Sequence, residues 1–253
     1  MHLSLEATLA LVAVATFAGF VDAIAGGGGL ITLPALISAF HGAGLPPQVA
    51  LGTNKGQSVF GSGAATLRFA RAGALAPRRS AVGFVAGFAG SLTGAVLVSR
   101  VDAQALRPLI IVLLVVAVAL VLMPRPRGAR PVSKPLAAAA IASLVIGFYD
   151  GFFGPGTGTL LIVAFMWLLA EAPQVASANA KVVNFASNLA AVAWFGSHHL
   201  IVWSVALPMA AGQFVGGFLG AHTVLTRGGG VVRAAAVVVA LGFVVKLSWQ
   251  LLA

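Results

Sequence analysis

Four charged residues stand inside stretches that are otherwise apolar: Asp22, Lys55, Asp150 and Lys181. A lysine at the centre of a membrane-spanning helix costs about 2.5–3.5 kcal/mol on insertion scales, so two of them call for interior partners. The chemistry open to such a set is ion pairing between lysines and acids, capture of an anionic substrate by the lysines, or carriage of a coupling proton by the acids. Around the first lysine the chain reads Leu51-Gly52-Thr53-Asn54-Lys55-Gly56-Gln57-Ser58. At 100° per residue Lys55, Ser58, Ser62 and Thr66 fall within about 80° of one another on a helix. Lys181, Asn184 and Asn188 form the equivalent stripe later in the chain. A cation beside hydroxyl and amide donors suits a small oxyanion, which makes Thr53, Asn54, Lys55, Ser58, Asn179, Lys181, Asn184 and Asn188 the candidate substrate contacts. The competing explanation is snorkelling, since each lysine lies only about 10 Å along the helix from the start of its segment.

Each acid precedes a glycine cluster. The stretch Gly19 to Pro34, GFVDAIAGGGGLITLP, is echoed from Gly147 by GFYDGFFGPGTGTLLI. Helices broken at corresponding places in two halves of a chain point to the substrate site of a membrane transporter. Unwound backbone there would offer N–H groups and a positive helix end to an anion, from Gly26, Gly27, Gly28 and Gly29 on one side and Gly154, Gly156, Thr157 and Gly158 on the other. Asp22 and Asp150 would cap the broken ends and balance the lysines, or couple transport to a proton.

The elements that must position these residues are membrane helices. Residues of apolar type make up 60% of the 253 and charged ones only 8%, with mean hydropathy +1.04, far from a soluble composition. Apolar segments near 5–25, 48–70, 80–99, 106–123, 136–155, 176–197, 201–223 and 231–250 are each of spanning length. Two shorter ones, 29–42 and 158–170, follow the glycine clusters as short spans or re-entrant limbs. The fold class is therefore all-α, a polytopic transmembrane helical bundle of about 8 full spans plus two short limbs, forming a single domain over 1–253. The N-terminal segment has no basic lead and no small-residue cleavage site, and reads as a retained span.

The chain divides at Pro124 to Pro135, which carries Arg125, Arg127, Arg130 and Lys134. Pro47-Gln48-Val49-Ala50 recurs as Pro173-Gln174-Val175-Ala176, and Lys55, Gly94 and Arg107 match Lys181, Gly220 and Arg233, all at an offset of 126. This indicates a duplication, with repeat one at 5–123, a linker at 124–135 and repeat two at 136–250. Arg68, Arg71, Arg78 and Arg79 flank a loop that reads as cytoplasmic, whereas its counterpart after Ser197 has no Lys or Arg, an asymmetry that predicts inverted repeats. Glycines 83, 87, 90 and 94, and 212, 216 and 220, form close-packing stripes.

The net charge of +10 lies mostly between apolar segments and so reports topology, with no nucleic acid as partner. The absence of cysteine excludes thiolate catalysis, and neither a P-loop, an H-E-x-x-H motif, nor an acid close to His198 and His199 supports nucleotide, protease or metal chemistry. No catalytic residues, metal or cofactor are expected, and the rival to a transporter is a non-transporting membrane protein, an assembly factor or an intramembrane enzyme.

The ordered set Phe20-Val21-Asp22-Ala23, Gly26 to Gly29, Pro34, Ala50-Leu51-Gly52-Thr53-Asn54-Lys55 and Gly154-Pro155-Gly156-Thr157-Gly158 resembles the TauE/SafE family of sulfite and organosulfonate exporters, from about residue 8 to about residue 248. The resemblance implies a bacterial inner-membrane permease, multi-pass in the lipid bilayer, that carries small sulfur-containing anions such as sulfite or sulfoacetate.

Overall fold

The computed structural model describes residues 4–41, 43–122, 132–228 and 230. The arginines of the central linker, the final apolar segment at 231–250 and Arg233 lie outside the described residues. The described helices are α1 (Leu5–Ala25), α2 (Gly28–His41), α3 (Pro47–Arg71), α4 (Pro77–Ser99), α5 (Ala103–Leu122), α6 (Pro135–Phe152), α7 (Thr157–Leu168), α8 (Pro173–Ser197) and α9 (Trp203–Arg227). Their starts are legible in the chain. α3, α4, α6 and α8 each open on a proline, which has no N–H to leave unpaired in the first turn.

By length and composition α1, α4, α6 and α9 are suited to crossing a membrane. Their outward faces carry Leu9, Phe17, Val85, Ile141, Val145, Leu207 and Val215, all exposed. Such a surface would be unfavourable in water and matches lipid. α3 and α8, 25 residues each, carry the polar stripes and sit inside this ring. The chain is an all-helical, polytopic membrane protein among its described residues.

Two apolar clusters cap opposite ends of the bundle and give each helix a direction. α3 runs from the first cluster, at Val49 and Leu51, to the second, at Ala65 and Phe69. α8 runs the other way, from Ala176 to Phe195. α1 climbs from Leu11 in the first cluster to Ile24 in the second, and after the break α2 turns back through Leu33 and Phe40 to the first. α6 and α7 trace the same path in reverse, from Ala139 down to Phe153 and back to Ile162 and Phe165. At about 1.5 Å per residue, α2 with 14 residues and α7 with 12 extend about 20 Å, short of a hydrocarbon core of about 30 Å. They are short limbs that start deep in the bundle.

The glycine stripes work as close-packing surfaces. α4 lies against α6 and α1 against α9. A Cβ at Gly90 would overlap the Leu144 carbonyl, and one at Gly216 would overlap the Thr16 carbonyl. These backbones approach because no side chain intervenes.

Candidate functional site

The breaks are narrower than the glycine clusters that produce them. Between α1 and α2 only Gly26 and Gly27 are unwound, with φ of 75° and 97°, while Gly28 and Gly29 already form the first turn of α2. Between α6 and α7 the unwound residues are Phe153 to Gly156, with φ of 102° at Gly154 and 86° at Gly156. Positive φ of this kind strains any residue with a Cβ, which accounts for glycine at these points. The two breaks touch: a Cβ at Gly158 would sit 2.7 Å from Gly26 Cα, and Thr159 Oγ1 donates to the Ala25 carbonyl at 2.7 Å.

Both lysines are buried, Lys55 at 2% and Lys181 at 0% exposure. Neither snorkels. Lys55 Nζ pairs with Asp150 Oδ1 at 2.6 Å, and Lys181 Nζ pairs with Asp22 Oδ2 at 2.7 Å. Each ion pair therefore joins one half of the chain to the other, α3 to α6 and α8 to α1. Each acid also secures the limb beyond its own break. Asp22 Oδ1 accepts the Gly28 N–H at 3.0 Å, capping α2, and Asp150 Oδ1 accepts the Thr157 hydroxyl at 2.8 Å at the start of α7. Asp150 accepts in addition the hydroxyl of Ser187. Gly154 lets the first lysine pass, since a Cβ there would lie 2.9 Å from Lys55 Nζ.

Between the breaks lies a polar cavity. Asp22, Gly27, Gly28 and Gly29 line it from α1 and α2, and Asp150, Gly154, Gly156, Thr157 and Gly158 from α6 and α7. Asn54, Lys55 and Ser58 enter from α3, and Asn184 and Asn188 from α8. Helix N-termini of two limbs thus meet amides and charged groups at one place, an arrangement suited to a small anion. Four of the candidate contacts named from the sequence stand apart from the lining. Lys181 reaches the cavity only through Asp22, and Gly26 is packed against Gly158. Thr53 Oγ1 accepts the Val202 N–H at 3.0 Å, and Asn179 Oδ1 accepts the Ala76 N–H at 3.0 Å and the Ser80 hydroxyl at 2.9 Å. Those two residues hold the loops ahead of α9 and α4. The helical period explains this: Thr53 and Asn179 each lie two residues, about 200°, from their lysine.

Sequence reasoning missed Gln213 of α9, which lines the cavity at 3% exposure, and Ser187. It also missed the clamp at the basic end of the bundle, where Asn179 Nδ2 donates to Glu171 at 2.9 Å and Arg79 pairs with Glu171 at 2.8 Å. The signal for Gln213 in the sequence is a lone amide in a glycine-rich apolar helix.

The sequence profile of the family Sulfite exporter TauE/SafE matches residues 11–247. The chain belongs to the TauE/SafE family. Relatives of this TauE/SafE protein include a probable membrane transporter protein, ORF9, of a Sinorhizobium species, 38% identical with 94% of this chain and 92% of the relative covered. A probable membrane transporter protein of Haemophilus influenzae is also 38% identical, covering 99% and 98%. The probable membrane transporter protein YfcA of Escherichia coli K12 is 37% identical, covering 94% and 88%. No solved structure matches the chain. Family and relatives together indicate a multi-pass membrane transporter and not an enzyme.

Proposed function

We propose that this TauE/SafE protein is a secondary transporter of small anions, with sulfite, organosulfonates or related sulfur-containing anions as substrates, in the bacterial inner membrane. The observation that carries the reading is the cavity where the α2 and α7 N-termini converge on Asn54, Lys55, Ser58, Asn184 and Asn188. The family description supports the sulfur-anion class. The opposed directions of α1 and α6, and of α3 and α8, support two repeats of inverted topology with the cavity between them.

The electrostatics suggest how an anion enters. The two lysines and two aspartates at the site sum to zero charge. An added anion in this water-poor interior needs a counter-charge. A proton on Asp22 would free Lys181 from its partner and leave one positive charge for the anion, so that anion and proton move together. Thr53 and Asn179 act at the two ends by holding loops, not by touching substrate.

Flux of sulfite, sulfoacetate and thiosulfate into proteoliposomes tests the reading, comparing wild type with Lys55→Ala/Lys181→Ala. Wild type moves at least one of these and the folded double variant does not; an immobile panel, or normal transport by the double variant, sinks the assignment. Inversion has its own test because the chain lacks cysteine. Single cysteines at Ala74 and Leu200 label from opposite membrane faces, and labelling from one face refutes it.

A further inference from the structure

Gln213 is 97% buried, since its exposure is 3%, and it lines the cavity. Among the described residues its carboxamide has no hydrogen-bond partner. An amide so placed, open to the cavity and without a partner from the protein, is positioned for one that comes and goes. The space it occupies is cleared for it. A Cβ at Gly61 would overlap Gln213 Oε1, and one at Gly19 would lie 2.9 Å from the same atom. Two helices therefore give up side chains where α9 projects this amide.

The opposite half is built otherwise. At the offset of 126 that relates the two halves, Gln213 corresponds to Gly87, and a Cβ there would lie 2.6 Å from Cγ1 of Val183. An apolar side chain fills that side. So the amide is not a requirement of the packing that the two halves share; it is an addition to one of them. It does not stand alone, because Asn184, also lining the cavity, makes no side-chain hydrogen bond among the described residues, and Asn54 uses only its Oδ1, accepting from Thr32 at 2.6 Å and Gln57 at 3.0 Å.

We propose that Gln213 is the specificity-determining contact of the anion site, hydrogen-bonding a small oxyanion that carries a proton of its own. The reasoning rests on the transporter reading above and deepens it. A carboxamide presents N–H donors and a C=O acceptor together. A fully ionised dianion can use only the donors and meets the carbonyl as a repulsive neighbour. A protonated monoanion, such as hydrogensulfite, satisfies both ends, and its single charge suits a site whose lysines are already matched by aspartates. The same preference discriminates against sulfate, a dianion of similar size.

The experiment uses the full chain in proteoliposomes, with sulfite uptake at mildly acidic pH and sulfate as competitor, for wild type, Gln213→Met and Gln213→Glu. Methionine keeps the length of the side chain and removes both hydrogen-bonding groups. Gln213→Met is expected to raise the KM for sulfite about tenfold, leave the maximal rate within about twofold, and narrow the preference over sulfate. Gln213→Glu keeps the shape and adds a negative charge, and should raise the KM further. A folded Gln213→Met with wild-type KM and unchanged preference overturns the proposal while the transporter reading stands. If Gln213→Met does not fold, Gln213→Glu decides by the same criterion: a raised KM supports the contact and a wild-type KM overturns it. Wild type that moves no sulfite overturns both this proposal and the reading beneath it.

Discussion

Two lysine–aspartate pairs cross the centre of this bundle, and the surroundings of their carboxylates differ. Asp150 has a side-chain exposure of 2% and accepts from Lys55, Thr157 and Ser187. Asp22 is 19% exposed and accepts from Lys181 and the Gly28 N–H. The serine that closes over Asp150 has Gly61 at the corresponding place in the other half, with Gln213 filling the space. Both carboxylates line the cavity, with Lys55 beside them, but Asp150 is closed over by hydroxyls whereas Asp22 stands more open. Under the proposed mechanism the Lys55–Asp150 pair holds α3 to α6 and the second break, and Asp22, the more exposed acid, is the one whose partner exchanges.

The largest effect should come from opening the Lys55–Asp150 pair. Asp150→Ala leaves Lys55 buried without its counter-charge and is expected to cost about 3–5 kcal/mol in unfolding free energy in detergent. Asp22→Ala strands an equally buried lysine, Lys181, but gives up only the Gly28 N–H besides, whereas Asp150→Ala also takes the carboxylate from the Thr157 and Ser187 hydroxyls, so Asp22→Ala should cost less. Equal losses would erase the distinction between the two half-sites. Next in size, Ser187→Ala removes a hydroxyl bonded to a buried carboxylate and should cost about 1.5–3 kcal/mol. Gly61→Ala, at the same place in the other half, acts by a different route, pushing against Gln213, and should change sulfite KM more than stability.

A smaller contrast lies at the two ends. Asn179→Ala should destabilise more than Thr53→Val, since Asn179 supports Glu171 of the Arg79 pair as well as the Ala76 N–H, whereas Thr53 supports the Val202 N–H alone. Thr53→Val is expected to cost about 0.5–1.5 kcal/mol, the ordinary value of one hydrogen bond. A reversed order in thermal unfolding would mean that the charged clamp contributes nothing to holding that end closed.

Much of this fold was readable in advance for physical reasons. Proline opens four of the helices where a missing N–H is harmless, and consecutive glycines mark where α1 gives way to α2. The lysine stripes were visible because a charge in an apolar helix is costly. Which acid meets which lysine was not: Asp22 and Asp150 carry the same chemistry, and only tertiary packing sends each to the lysine of the other half. Thr53 and Asn179 neighbour the lysines in sequence, but two residues on a helix face nearly opposite ways. Gln213 is not legible from the pairing of the halves, because its counterpart at the offset of 126, Gly87, carries no chemistry.

Asn184 lines the proposed anion site, whereas Ser187, bonded to Asp150, is fully buried and outside the lining. Because the chain has no cysteine, one chemical measurement reads this directly. The reaction rate of a charged methanethiosulfonate reagent is measured on Asn184→Cys and on Ser187→Cys in proteoliposomes, with and without isethionate, a singly charged hydroxysulfonate that does not itself attack the reagent. The expected result is that Asn184→Cys is modified, that isethionate slows it, and that Ser187→Cys stays unreactive. Modification of both at equal rates, or an Asn184→Cys indifferent to the anion, would contradict it.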